Sequence, residues 1–403
     1  MPFRDSWPIV GGLLFIVGVG AELPLVALVG LGVMVLGVGS RWWADHLFDR
    51  VTLRRRLSEN RAFIDEPVML EVELENRKVL PLPWFEWRIA LGERLHVAGE
   101  VLAASAAHGL HYLVRRGSVG WYSVERWAFQ LSSPQRGYHP IGPASIRSSD
   151  ILGAWPSRFE DDKIDHLIIY PRGYRLQELG LPAERPFGDV RGGDRLFEDP
   201  LRIAGLREYR PGDPLRRIDW KATARAGELR SRVYEPSATR QLYMFLNVDT
   251  LEHPWEGYLS DELERLVSVT ASVAIWAAGA RYAVGLLANG AFPAADRPIR
   301  LPPSRARDQL ARLLEALAVI QPLTMGDLPG AIRREAGRLT VGSTIVAIAA
   351  LVPQALAEAL ERLAGEGHRV RLLATTDRAA ATQIPGVPVL RIGRAFEPTE
   401  AFP

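Results

Sequence analysis

The sequence predicts a multi-domain chain: an N-terminal transmembrane helical hairpin, a β-sandwich-like domain, and a C-terminal α/β domain built on a doubly wound parallel sheet. Three observations predict it. A nearly uncharged apolar run fills Trp7 to Trp43, and side-chain polarity alternates with period two from Val68 to Glu75. From Gln241 onward, short apolar strands alternate with helices of 3.6-residue spacing. The boundaries follow the pattern changes: 1–45 for the hairpin, 46–172 for the β-domain, 173–237 for a connector, and 238–403 for the α/β domain.

Glu22 is the one formally charged side chain between Trp7 and Arg41. A single helix over this run would measure roughly 55 Å, against a hydrocarbon core of about 30 Å. The run therefore has to break, and Glu22 with Pro24 marks the place. We expect one helix from about Pro8 to Ala21 and a second from about Leu23 to Trp43. Trp7 and the Trp42–Trp43 pair then lie at one interface, where aromatic belts form. Arg4 precedes the hairpin and Arg41, Arg50 and Arg54 to Arg56 follow it. The positive-inside rule thus places both ends, and the soluble domains, in the cytoplasm of a multi-pass inner-membrane protein. A cleaved signal peptide fits poorly, because the basic n-region is weak and the apolar stretch outruns any cleavage site.

The 403 residues exceed what one ordinary core organises, and 47% hydrophobic with 24% charged residues is the balance of a folded chain. A net charge of +2 creates no global field for nucleic acid. The absence of cysteine removes disulfides, thiolate nucleophiles and iron–sulfur ligation. The Walker A, H-E-x-x-H and G-x-S-x-G patterns do not occur, and no cofactor is expected.

In the β-domain, Val68, Leu70, Val72 and Leu74 fall on one face of a strand, and Glu71, Glu73 and Glu75 on the other. Turn residues recur at Pro81, Pro83, Gly92, Gly117, Gly120 and Gly142-Pro143, as between sandwich strands. His108 and His111 have no third ligand nearby and are read as surface or packing residues.

In the α/β domain, Gln241 to Val248 is an apolar strand ending at Asp249. Helices are expected over about 260–278, 304–319 and 353–365, with strands over 282–288, 343–349, 370–374 and 387–392. Alternation of this kind makes a parallel sheet with its crevice at the carboxyl ends of the strands.

Before that domain lies an unusual segment, Arg207-Glu208-Tyr209-Arg210-Pro211-Gly212-Asp213, then Arg216-Arg217-Ile218-Asp219-Trp220-Lys221, and then Ala224-Arg225. Pro211-Gly212 suits the centre of a type II turn. From Arg202 to Arg232, nine Arg or Lys residues stand against four Asp or Glu. Asp213 and Asp219 are candidate partners for the forks of Arg207, Arg216, Arg217 or Arg225. The segment is either an ion-pair network joining two domains or a docking surface anchored by Trp220.

R-E-Y-x-P-G-D-x-x-R-x-I-D-W-x-x-x-A-R, from Arg207 to Arg225, resembles the hallmark of the family numbered fifty-eight among domains of unknown function. The hairpin, the Glu75 to Trp84 stretch, Ser149 to Gly153 and Tyr170-Pro171 fit the same resemblance. It implies a bacterial membrane protein with a von Willebrand factor A-like domain, typically encoded beside a MoxR-type AAA+ ATPase and often beside other membrane proteins. It brings no enzymatic activity. In von Willebrand A-like domains the first strand ends in D-x-S-x-S, which holds magnesium. Here the residues are Asp249-Thr250-Leu251-Glu252-His253, with both serines replaced, so the metal position is degenerate. The expected function is therefore a non-enzymatic, membrane-anchored scaffold or adaptor for that ATPase. The alternatives are an anionic-ligand binder (nucleic acid or lipid head groups) using the Arg-rich segment, and, less favoured, an envelope-associated hydrolase. The oligomeric state is left open.

Overall fold

A computed structural model describes residues 7–182, 186–187, 198–210, 218–236, 240–292, 295–324, 326–340 and 342–393. The chain forms two compact units, divided between Arg172 and Gly173.

The first unit opens with two helices, α1 (Trp7–Gly20) and α2 (Pro24–Asp45). Glu22 makes the turn between them with φ +54°, and Pro24 starts α2, where a missing N–H costs nothing. By length and composition α2 can cross a membrane, whereas α1 is apolar but shorter. The two pack backbone to backbone. A Cβ on Gly11, Gly18 or Gly30 would fall within 3.0 Å of the main chain of Met34, Ala27 or Phe15 respectively. Small residues at such contacts are what lets apolar helices associate through close packing.

Helix α2 runs into the β-domain without a flexible linker. Ala44 and Leu47 are buried, and Trp43 and Phe48 pack against the core of the β-domain. Lys78 reaches back to donate to the carbonyls of His46 and Leu47, satisfying groups that a helix C-terminus leaves open. Burial pushes its ammonium down to about 8, against a partial counter-effect from Asp49. Ser157 Oγ donates to Ala44 O at 3.1 Å.

The β-domain strands are β1 (Val51–Leu57), β2 (Arg61–Phe63), β3 (Val68–Asn76), β4 (Leu82–Gly92), β5 (His96–Val97), β6 (Ala103–Ala104), β7 (Leu110–Val119), β8 (Val124–Ser132), β9 (Gly137–Ser149), β10 (Pro156–Asp161) and β11 (Asp165–Tyr170). They make two sheets, ordered β1-β3-β8-β5 and β2-β11-β9-β4-β7-β6, with β10 also paired to β9. Val68, Leu70, Val72 and Leu74 are buried as the alternation predicts, while Glu71 on the opposite face is exposed. Trp87, fully buried on β4, meets Trp127 and Phe129 of β8 edge-on at 5.5 and 6.0 Å, tying one sheet to the other. His108 is exposed in a turn and His111 lies part-buried on β7.

The second unit begins with residues expected to be connector, and part of that stretch is packed. Leu176, Leu179 and Leu181 are buried, and Tyr174 N donates to Ser272 Oγ at 2.9 Å. Next come β12 (Glu198–Glu208), α3 (Trp220–Ala226) and β13 (Arg230–Pro236), with β12 and β13 forming a two-stranded antiparallel ribbon.

The α/β sheet and its helices comprise β14 (Gln241–Leu246), α4 (Ser260–Gly279), β15 (Ala283–Phe292), β16 (Ala295–Ser304), α5 (Gln309–Val319), β17 (Gln321–Thr324), α6 (Leu328–Ala336), β18 (Thr344–Ala349), α7 (Gln354–Gly365), β19 (Arg369–Ala374), α8 (Asp377–Ala380) and β20 (Val389–Arg391). The sheet order is β16-β15-β14-β18-β19-β20, with β17 paired to β15. Taking those six in chain order gives 3-2-1-4-5-6, the order of doubly wound sheets. On one face, Tyr243, Phe245, Ile345 and Leu372 pack with Leu328, Ala331 and Ile332 of α6 and with Leu356, Leu360 and Leu363 of α7. Helix α4 packs on β14, β15, β18 and α5.

Several features depart from the sequence expectation, among them β17 and α6, which lie between the expected elements. The sheet is not wholly parallel, because β16 pairs antiparallel with β15. Its Pro298, Pro302 and Pro303 hide the strand in the sequence, and they are tolerated because β16 is an edge. The expected helix over 304–319 accordingly shortens to α5, which starts at Gln309. Arg300 on β16 is held by both carboxylate oxygens of Glu335 on α6, at 2.8 and 3.0 Å.

Candidate functional site

The doubly wound order reverses between β14 and β18, so the crevice opens at their carboxyl ends. β14 runs there into Asn247, Val248 and Asp249, and β18 into Ala350 and Leu351. Asn289, near the end of β15, joins them. Its Nδ2 donates to Asn247 Oδ1 at 2.8 Å and to Asp249 Oδ2 at 3.1 Å. Its Oδ1 accepts from Val248 N at 2.8 Å, and Asn247 Nδ2 donates to Leu351 O at 3.0 Å. Both asparagines are buried. Side-chain amides thus occupy the end of the first strand with a closed hydrogen-bond network that itself fixes Asp249.

The residues after Asp249 are engaged elsewhere. Glu252 pairs with Arg378, and His253 stacks on Trp255 with ring centroids 4.3 Å apart. Thr250 Oγ1 accepts from Leu259 N at 2.9 Å, closing the loop ahead of α4. Among the described residues, no group of three or more His, Cys, Asp or Glu side chains comes together to hold a metal.

The Arg-rich segment builds the ribbon and its helix. Asp219 caps α3, accepting from Ala222 N at 3.0 Å, and its other oxygen takes Arg232 Nε at 3.0 Å. These two contacts, the backbone one first, hold its carboxyl below the usual range. The sequence offers Arg207, Arg216, Arg217 or Arg225 as partners of Asp213 and Asp219, and of these Arg216, Arg217 and Asp213 lie outside the described residues. Among the described residues, the partner seen on Asp219 is Arg232, brought across by β13. Arg207 donates to Glu208 O at 3.0 Å, and Tyr209 N donates to Leu229 O at 2.9 Å. Gly227, at φ +74°, ends α3. No residue of α3 is buried; Trp220 is 66% exposed, and Lys221 and Arg225 are exposed on the same short helix. Pro211, Gly212, Asp213, Arg216 and Arg217, and with them the expected type II turn, lie outside the described residues.

Sequence reasoning missed Asn247 and Asn289. Each is a polar residue that interrupts an apolar run, in Phe245-Leu246-Asn247 and Leu287-Ala288-Asn289. The strands leading to them are adjacent and parallel, so the signal was present but needed the pairing to be read.

The model of the family described as "Protein of unknown function DUF58" matches residues 205–393. The uncharacterized protein YeaD of Bacillus subtilis (strain 168) is 27% identical over 173 residues, which is 41% of this chain and 41% of that protein. Among solved structures, the CARDB domain of a Pyrococcus furiosus protein shares 14% identity over 30% of this chain and 96% of its own, with a TM-score of 0.21. The sporulation control protein Spo0M from Bacillus subtilis shares 10% over 30% of this chain and 49% of its own, with a TM-score of 0.19. Structural likenesses of that size carry no argument. Residues 205–393, which hold the described part of the signature segment from Gly205 and the whole α/β sheet, are thus similar to the domain that the DUF58 model describes.

Proposed function

We propose that this chain is a membrane-anchored, non-enzymatic interaction module. In this reading the hairpin anchors it in a bacterial inner membrane with its soluble domains in the cytoplasm. The α/β domain is von Willebrand A-like and works without a cation, and the ribbon with α3 docks a MoxR-type AAA+ ATPase. The partner comes from the family resemblance. The single observation that carries the docking role is the exposure of Trp220 on a helix that buries none of its own residues. A tryptophan accompanied by two cations, on a frame fixed by the Asp219 cap, has the composition of an interface anchor. The 3-2-1-4-5-6 order with an antiparallel edge supports the von Willebrand A-like reading.

The test is affinity purification of the full chain from native membranes. An AAA+ ATPase should co-purify with the wild type and be lost with Trp220→Ala, while the two proteins melt alike. Retention of the ATPase by a variant that melts lower would sink the docking role and favour a structural one. The anionic-ligand alternative predicts instead that binding weakens steeply with salt and depends on Lys221 and Arg225.

A further inference from the structure

The end of the β-domain that receives α2 differs from the rest of its surface. Three loops converge there: β3–β4, β7–β8 and β9–β10. Val51, at the start of β1, pairs with Asn76 at the end of β3, and Val119 at the end of β7 pairs with Leu82 at the start of β4. Ser149 at the end of β9 pairs with Pro156 at the start of β10. All three loops therefore lie at the level where the chain leaves α2.

The loops are also tied to that helix end. Lys78 of the first loop donates to His46 O and Leu47 O, and Tyr122 N of the second donates to Lys78 O at 3.1 Å. In the third loop, the ring centre of Trp155 lies 5.8 Å from the guanidinium of Arg41 on α2. That loop is built rather than slack: the Asp150 carboxylate accepts from Leu152 N at 3.1 Å and from Trp155 N at 2.7 Å.

Apart from Arg77, the large side chains that these loops present outward are apolar. Val79, Trp121, Tyr122, Ile151 and Leu152 are between 60% and 69% exposed. A protein seldom leaves several large apolar side chains on adjacent loop tips without a partner. The partner's chemistry follows from continuity with α2, the helix long and apolar enough to cross a membrane. Arg41 stands one residue before the Trp42–Trp43 pair, at the height where an aromatic belt meets lipid head groups, and Trp155 is beside it.

We infer that Val79, Trp121, Tyr122, Ile151 and Leu152 form a lipid-facing rim that seats this end of the β-domain in the head-group layer around α2. This rests on the membrane-anchor reading of the hairpin. Apolar surfaces that lie in a bilayer interface bury about 5–10 Å into it, a depth that loop-tip side chains span. Acidic Asp45, Asp49 and Glu75 accompany Arg41, Arg50, Arg77 and Lys78 at this end, and Glu75 pairs with Arg77, so apolar contact rather than a strong net charge drives the seating. Zwitterionic lipid suffices.

The chain lacks cysteine, which makes single-site labelling clean. Full-length protein carrying Trp121→Cys, Ile151→Cys, Val101→Cys or Ile16→Cys, each labelled with an environment-sensitive fluorophore, is reconstituted into phosphatidylcholine vesicles. Val101, 97% exposed, follows β5 toward the opposite end of the domain, and Ile16 is exposed on α1. Quenching by nitroxide-labelled lipid should be strong at 16, 121 and 151 and absent at 101. Quenching by aqueous iodide should be several-fold weaker at 121 and 151 than at 101. Lipid quenching at 16 with water-like behaviour at 121 and 151 would overturn the rim and leave the anchor standing. Water-like behaviour at 16 would overturn the anchor, and the rim with it.

Discussion

In the crevice, Asn289 directs its side chain to acceptors and a donor that are themselves fixed at strand ends, and the group is buried. On the ribbon, Asp219 holds a short helix that buries none of its own side chains. Both regions centre on an aspartate after an apolar residue, yet their surroundings assign them different work. A closed, buried amide network sets the geometry of a fold and resists change. A capped but unburied helix keeps its frame while leaving its surface exposed.

The largest expected effect lies in the crevice. Asn289→Ala strips Val248 N, Asn247 Oδ1 and Asp249 Oδ2 of their contacts with it, and an unsatisfied buried group costs about 1–3 kcal/mol. Urea unfolding of the detergent-solubilised chain should lose about 3 kcal/mol in the transition of the second unit. A change within experimental scatter would erase the contrast between the two regions.

A smaller effect is expected for Asp219→Ala, with a pH signature. The folded carboxyl lies below its unfolded value, so its stabilisation is present above about pH 4 and fades as the pH falls through the folded value. Thermal melts across pH 2–6 should therefore show wild type and variant converging in acid. Divergence toward low pH would mean that the cap and the Arg232 contact do not hold in solution.

Trp220→Ala should leave stability within about 0.5 kcal/mol of wild type, as at exposed positions away from special features. A loss several times larger would show that Trp220 is packed in solution and move the ribbon into the same class as the crevice. The smallest effect should come from millimolar magnesium. A ligand that binds the folded state raises its melting temperature by mass action. No rise is expected here, and one abolished by Asp249→Ala would reopen the crevice as a metal centre.

Much of the architecture was legible because it depends on periodicity along the chain. Val68 to Leu74 read as a half-buried strand, and Glu22 with Pro24 as a break, since each signal is local. The strand β16 was illegible because three prolines argue against a strand unless its edge position is known. The crevice network was illegible for another reason: Asn247 and Asn289 stand 42 positions apart, and only the parallel pairing brings them together. Asp219 is recognisable as a charge that needs a partner. The ribbon adds Arg232 from the returning strand, a partner that the segment itself does not contain.

The direct passage of α2 into the β-core has a mechanical consequence. With Leu47 buried and Lys78 clasping the last carbonyls, helix and domain turn as one lever. β4 is 11 residues long. At about 3.3 Å per residue it spans roughly 36 Å, so a tilt of about 10° at the helix swings its far end by about 6 Å. If α2 spans a bilayer as proposed, a change in its tilt is thereby converted into a displacement at the distal end of the β-domain.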